Sequence, residues 1–435
     1  MSSTMMSWVP SSDIAYLLSL QAVRERSQIV FAAAKEGRLH SFEYDEQRMS
    51  AVADFVISVI DRDFGPDRFA SIPPHGRWQH FEVGGVARVD SLLDQWTKEG
   101  CDKTELTRRL IDLFFVSVLL DAGAGDTWKF VEPGSGQVYN RSEGIAVASL
   151  YMFKSGDFSQ ETGAPKVDAA GLVNLTDDAF SQGFQITPEN PLIGVSSRVK
   201  LLNSVGDSLL QLKDIVGPTG RPGNLVDYLT KLSGDAKTID YEVLWSTLQQ
   251  ILVPSWPADR TRIEGFPLGD AWPLTVLSSN AKDGREADTI QPFHKLTQWL
   301  GYSLMVPFVR VLGFQVVNAQ LGTGLPEYRN GGLFVDLGAL RLKPELAKEH
   351  TPSDQDLPAF SASSDTVIEW RALTVALLDE LYKIISAHFA KLGVELSMAQ
   401  MLEAGTWKGG RELAAKFRPQ TKSSPIEILG DGTLF

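Results

Sequence analysis

Apolar residues along this chain recur mostly at three- and four-residue intervals, the period of a helix with one buried face. Val23, Ser27, Val30 and Ala34 form one stripe that Gly37 ends, and Met49, Val52, Val56, Val59 and Ile60 form a second. A third helix is expected over 105–120. Asn190-Pro191 reads as a cap followed by proline in the first turn, ahead of a helix through Val199, Leu202 and Val205 to Leu209. Helices over 293–311, 366–392 and 398–404 follow, the last opened by Ser397-Met-Ala-Gln400, a capping-box pattern. Strand signals are sparse: 131–138 around a Pro-Gly-Ser-Gly turn, 314–317 and 426–429. The fold class predicted is mainly α with a few short strands. Surface excursions are expected at 160–166, 217–223, 278–288 and 343–364, and no internal repeat marks a solenoid. One helical domain over 11–435 is expected, with an N-terminal part (11–150) and a C-terminal part (185–435) sharing one pocket.

Composition permits a large packed core: 435 residues, 43% hydrophobic and 22% charged. The 41 Lys and Arg against 54 Asp and Glu give a net charge of −13, which repels nucleic acid backbones and anionic lipid surfaces. Small anionic ligands stay open, because one pocket needs only two or three well-placed cations. Cys101 is the single cysteine, which excludes an intrachain disulfide and a multi-cysteine metal site. The N-terminus lacks the basic flank and apolar run of a secretory signal, and the strongest apolar stretch, 113–120, is too short to span a bilayer. A cytoplasmic protein without membrane or nucleic acid partners is expected; the oligomeric state is not legible.

Polar chemistry gathers in a few segments. His75, Arg77, Trp78 and His80 lie within ten residues, either a site wall or an ordered loop, and the five-residue histidine spacing does not suit zinc on a helical face. Asp121-Ala-Gly-Ala-Gly125 lacks the remaining residues of a phosphate loop, and its glycines suit a helix C-terminal turn. Arg141 precedes a helix beginning Ser142-Glu143-Gly144, an arrangement able to hold an anion. Lys295, Gln298, Trp299 and Tyr302 share one helical face while Phe293, Thr297, Leu300 and Leu304 share another, so one face is expected to be polar and the other packed. Glu327-Tyr328-Arg329 is bracketed by glycines, which would let these groups approach a ligand, although Arg329 paired with Glu327 or Asp336 is an alternative. Arg371, on an otherwise apolar helix, needs a partner. Trp407, Lys408 and Arg411 form a last cluster.

Several stretches resemble a largely fungal and bacterial family of unknown activity, associated by pathway with uracil catabolism through ring opening and urea release. They are Asp121-Ala-Gly-Ala-Gly-Asp-Thr-Trp128, Arg141-Ser-Glu-Gly-Ile-Ala-Val-Ala-Ser149, Pro292-Phe-His-Lys-Leu-Thr-Gln-Trp-Leu300, Glu327-Tyr-Arg-Asn-Gly-Gly332, Glu369-Trp-Arg-Ala-Leu-Thr-Val-Ala-Leu-Leu378 and Asp431-Gly-Thr-Leu-Phe435. More distantly, Phe293-His294-Lys295-Leu-Thr-Gln298 and Glu327-Tyr328-Arg329 are similar to motifs of the queuosine-salvage nucleoside 5′-phosphate N-glycosylases, helical relatives of DNA glycosylases. Here glutamate replaces that family's aspartate.

Together the two resemblances imply an N-ribosyl hydrolase that releases urea from ribosylurea or its 5′-phosphate. Glu327 would stabilise the oxocarbenium-like state and activate water, with Tyr328 and Arg329 beside it. Lys295 and Arg141 would hold the phosphate, and Gln298, Trp299, His75, Trp78, His80, Asp121, His294 and Trp407 would line the site. No metal and no organic cofactor is expected. Two alternatives remain at this point: amide hydrolysis of the ring-opened nucleotide, and a non-enzymatic partner or regulator of the pathway.

Overall fold

Helices dominate the computed structural model, which describes residues 10–430 apart from Asp126, Ala258, Lys282, Asp283 and Asp354. The motif Asp431–Phe435, and parts of the excursions at 278–288 and 343–364, lie outside the described residues. The three expected N-terminal helices are Leu20–Lys35, Met49–Phe64 and Lys103–Leu119, and each buries the stripe that predicts it. Ser19 and Asp102 cap the first and third through side-chain oxygens that accept backbone N–H groups.

Three differences from the sequence reading have local causes. Asn190 caps no helix: Gly194, in the left-handed region, starts Val195–Gln211, while the Asn190 amide bonds the backbone of Lys129 along a hairpin edge. The excursion at 343–364 contains the helix Pro344–His350 and the strand Ala359–Ser361, which pairs in parallel with Glu427–Leu429. The helix expected to stop at Ala404 runs through a π-turn, Leu402–Thr406, into Trp407–Phe417. Glycines at 409 and 410 suggest a break, but a Cβ on Gly410 would lie 2.2 Å from the Arg329 carbonyl oxygen. Glycine there lets this helix meet Tyr328–Asp336 backbone to backbone.

The fold is mainly α. The described strands form two-stranded pairs, too small for a core, and they tie helix ends together. The core is a continuous cluster of buried apolar residues from Leu20 to Ile426, with a smaller one around Ile14, Leu17, Leu268 and Ile290. At its centre the helix Asp365–Ala390 packs on Leu20–Lys35, Tyr328–Asp336 and Met49–Phe64. Among the described residues no helix is long and apolar enough to cross a membrane.

Arg371, on that central helix, finds its partner in Asp270. Its two terminal nitrogens donate to the two carboxylate oxygens at 2.8 Å each, with both side chains buried. Burial alone would raise the Asp270 carboxyl; the guanidinium overrides it and holds the group well below the usual carboxylate range. Asp270 also accepts the Trp272 indole N–H at 2.8 Å and the Lys295 backbone N–H at 3.0 Å, and its carbonyl accepts from Phe293 and His294. Arg371 lies over the Phe293 ring and its Nε donates to the Pro326 carbonyl at 3.4 Å. One ion pair thus fixes the start of the helix Lys295–Arg310 and the residue before Glu327.

Replacing Arg371 with methionine strands the Asp270 charge in the core. The expected loss is about 3–5 kcal/mol of unfolding free energy in urea denaturation. A midpoint equal to that of the parent protein would remove this pair from its structural role.

Candidate functional site

Burial forces the charged side chains inside this molecule either to pair or to face a cavity. Most pair: Arg88 with Glu132, Arg221 with Asp112, Arg198 with carbonyls at the end of the helix Lys103–Leu119 and just beyond. A cavity of about 370 Å³ gathers most of the predicted site residues. His75, His80, Asp121, Arg141, Lys295, Trp299, Glu327, Tyr328, Arg329 and Trp407 all line it. They come from both halves of the chain. A larger cavity of about 740 Å³ is walled mainly by apolar side chains such as Met305, Val306 and Met398, and its one lining carboxylate, Asp379, is closed onto Arg24 at 2.8 Å.

Glu327 is the N-cap of Tyr328–Asp336, and its two oxygens accept the backbone N–H groups of Arg329 at 2.8 Å and Asn330 at 2.5 Å. Burial raises its pKa, against the lowering effect of those two N–H groups and of the nearby Lys295 and Arg329. Burial likewise lowers Lys295, which Glu327 and Asp121 oppose. A buried acid and a half-buried base therefore each favour the other's charge.

Asp121 is held from three sides. Arg77 pairs with Oδ2 at 2.8 Å, the Trp299 indole donates to the same oxygen at 3.1 Å, and Ser142 donates to Oδ1 at 2.5 Å. Trp299 and Trp407 flank His75 and His80, with ring centroids 4.6 to 5.6 Å apart. His75 Nδ1 donates to Glu403 at 2.6 Å.

A basic corner completes the cavity. Arg141 and Arg329 both donate to the Lys422 carbonyl, Arg141 also to that of Thr421, and Arg411 stacks on Trp407 and pairs with Glu143. Burial, with Arg141 and Arg411 adding to it, lowers the Arg329 pKa. Three guanidiniums so placed repel one another, and a bound anion relieves that repulsion.

The structure sets three predicted residues outside the cavity. Trp78 is buried against Phe114 beneath Arg310, and its indole donates to Glu82. Gln298 donates to the Tyr241 hydroxyl and accepts the Thr323 N–H, and His294 donates from Nε2 to the Leu17 carbonyl at 2.8 Å. The cause is common to Gln298 and His294. The helix Lys295–Arg310 is buried on nearly all sides, so a polar residue at its core needs an internal partner rather than a ligand. Arg329 pairs with neither Glu327 nor Asp336 through its side chain; Asp336 is taken by Arg418. The glycines after Arg329 serve packing, since a Cβ on Gly331 would meet Trp370 at 2.8 Å.

Arg77, Ser142, Glu403 and Arg411 were not among the predicted site residues. Glu403, Trp407 and Arg411 recur at four-residue intervals, a signal visible only once the helix is drawn past Ala404.

Two relatives align over nearly the whole chain. "Protein urg3" of Schizosaccharomyces pombe is 49% identical over 429 residues, covering 98% of this chain and 100% of that protein. "Uracil catabolism protein 4" of Lachancea kluyveri is 45% identical over 440 residues, covering 98% and 99%. Residues 16–435 match the family described as "Protein of unknown function (DUF1688)", and the chain belongs to that family.

Proposed function

We propose that this protein acts in uracil catabolism as an N-ribosyl hydrolase, cleaving ribosylurea 5′-phosphate to urea and ribose 5-phosphate. The pathway is supported by the name of the Lachancea kluyveri relative, uracil catabolism protein 4. The reaction is supported by one observation above all: Glu327 and Lys295, on different elements, line one cavity beside a cluster of arginines. That pairing also matches the motifs similar to those of the queuosine-salvage N-glycosylases.

Cleaving the glycosidic bond builds positive charge on the anomeric carbon. A carboxylate beneath that carbon stabilises the charge and takes a proton from the attacking water. Glu327 is assigned this work, because the helix N-terminus steadies it as an anion while burial keeps it basic. As the water oxygen bonds to the sugar, the nitrogen of urea leaves and must gain a proton. Lys295, made more acidic by burial, is assigned that transfer. Arg141, Arg329 and Arg411 then take the phosphate role that the sequence reading gave to Lys295 and Arg141, since they crowd together at one side. Trp299 and Trp407 supply a flat wall for the planar leaving group.

Purified protein should release urea and ribose 5-phosphate in equal amounts from ribosylurea 5′-phosphate. Loss of an amide with the ribosyl–nitrogen bond intact would point to amide hydrolysis instead, and no product from the phosphorylated or the unphosphorylated compound would end the proposal. Glu327→Gln keeps shape and removes charge, so kcat/KM should fall about 10²- to 10⁴-fold with the fold retained by circular dichroism. An unchanged rate would exclude Glu327 from the chemistry.

The pH profile follows from the two shifts. Activity needs Glu327 ionised and Lys295 protonated, so the acid limb should lie above the ordinary glutamate value of 4.5 and the alkaline limb below the ordinary lysine value of 10.5. In Lys295→Met the carboxylate loses a cation that favours its charge. The acid limb of the remaining activity should move further up, and a limb that stays in place would separate the two residues.

A further inference from the structure

His80 lines the cavity while only 4% exposed as a residue, and its two ring nitrogens differ sharply. Nδ1 lies 3.0 Å from Arg77 Nη1, and a guanidinium only donates, so Nδ1 must be the acceptor. Ser142, near the same nitrogen, gives its proton to Asp121. The ring proton of a neutral imidazole is thereby forced onto Nε2. Nε2 is buried and has no hydrogen-bond partner among the described residues. A buried N–H left without an acceptor is costly, and in a residue that lines a cavity it calls for an acceptor from outside the chain.

We infer that His80 is a fixed, uncharged donor whose Nε2–H receives a carbonyl-type oxygen of the ligand, as in a ureido or amide group. The surroundings favour an uncharged acceptor. Trp299, Trp407 and His75 make the wall around the ring flat and carry no anion toward Nε2, while phosphate has the arginine corner of the same cavity. Burial resists protonation of the ring most, followed by the charges of Arg77, which shares the helix Arg77–Phe81 with it, of His75 and of Arg411. Among the carboxylates around the cavity, Asp121 is engaged by Arg77, Ser142 and Trp299, Glu403 by His75 and Glu143 by Arg411. His80 therefore holds its ligand through one tautomer across the working pH range and takes no part as a proton carrier. For the choice of this cavity the inference rests on the hydrolase reading, which it deepens by naming the group that seats the urea oxygen.

The test uses the full-length protein with nitrogen-labelled histidine, followed by NMR. The free protein should show His80 as the Nε2–H tautomer, with no protonation between pH 8 and pH 5.5, roughly a unit below the ordinary histidine value. N-methylurea should shift the Nε2–H resonance, and inorganic phosphate alone should not. His80→Phe should weaken N-methylurea binding by about tenfold, whereas His80→Gln, with an amide N–H in reach of the same place, should keep most of it. An Nδ1–H tautomer, an ordinary titration, a response to phosphate alone, or equal affinity in His80→Phe would each overturn the inference. Should a variant fail to fold, the tautomer and the titration in the parent protein still decide. Absent urea release with an intact N-methylurea response removes the hydrolase reading alone, and release with a silent Nε2 removes this inference alone.

Discussion

The ion pair between Arg371 and Asp270 is the constraint on which the cavity depends. Two charges buried in an apolar core are tolerable only when each satisfies the other, and here the satisfaction is bidentate and supplemented by an indole, a backbone amide and an aromatic ring beneath the guanidinium. The pair joins elements a hundred residues apart in the chain: the central helix, the strand Ala271–Pro273 that follows Asp270, the first turn of Lys295–Arg310 and the loop entering Glu327. Apolar packing could hold these elements near one another. Only a directional pair sets the angle from which Lys295 and Glu327 enter the same space.

A protein with a net charge of −13 carries a cavity lined by four carboxylates and four cations, three of the cations being guanidiniums gathered at one corner. The two facts are compatible because low-dielectric walls make the field inside a cleft depend on its own lining more than on distant surface charge. Arg141, Arg329 and Arg411 each have protein oxygens or an aromatic face to rest on, so the corner is stable without ligand. This is the corner to which the proposed reading assigns the phosphate.

Periodicity made the helices legible where a single face is buried. Val23 to Ala34 and Met49 to Ile60 are stripes that the structure buries as stripes. The same rule misleads on Lys295–Arg310, which is buried nearly all round, so Gln298 and His294 read as ligand groups when their partners are Tyr241, Thr323 and Leu17. Arg371 could be recognised as needing a partner, but nothing near it in sequence names Asp270, because the pairing spans 101 residues. Glycine clusters were ambiguous for a related reason. At Gly331 and Gly410 the absent Cβ makes room for a neighbouring helix, and no one-dimensional pattern distinguishes that from room for a ligand.

Three local rules are broken around this one cavity. Glutamate is a poor choice for a helix N-cap, where serine, threonine, asparagine and aspartate are preferred, yet Glu327 holds that position. Arg141, the first residue of the helix Arg141–Ser155, has φ +54°, and His294, which caps Lys295–Arg310, has φ +47°, a left-handed backbone that costs a side-chain-bearing residue on the order of 1 kcal/mol. A fourth irregularity, the π-turn Leu402–Thr406, lies where its helix passes the same cavity, carrying Glu403 to His75 just before Trp407. Positive φ is not confined to this region, since Gln185, Lys237, Glu264 and Asn318 carry it elsewhere, and both residues here are also held by their side chains: Arg141 on the Thr421 and Lys422 carbonyls, His294 on that of Leu17. The helix starts at Arg141, Lys295 and Tyr328 nonetheless converge on one cavity, and that convergence of separate elements is what the proposed reading requires.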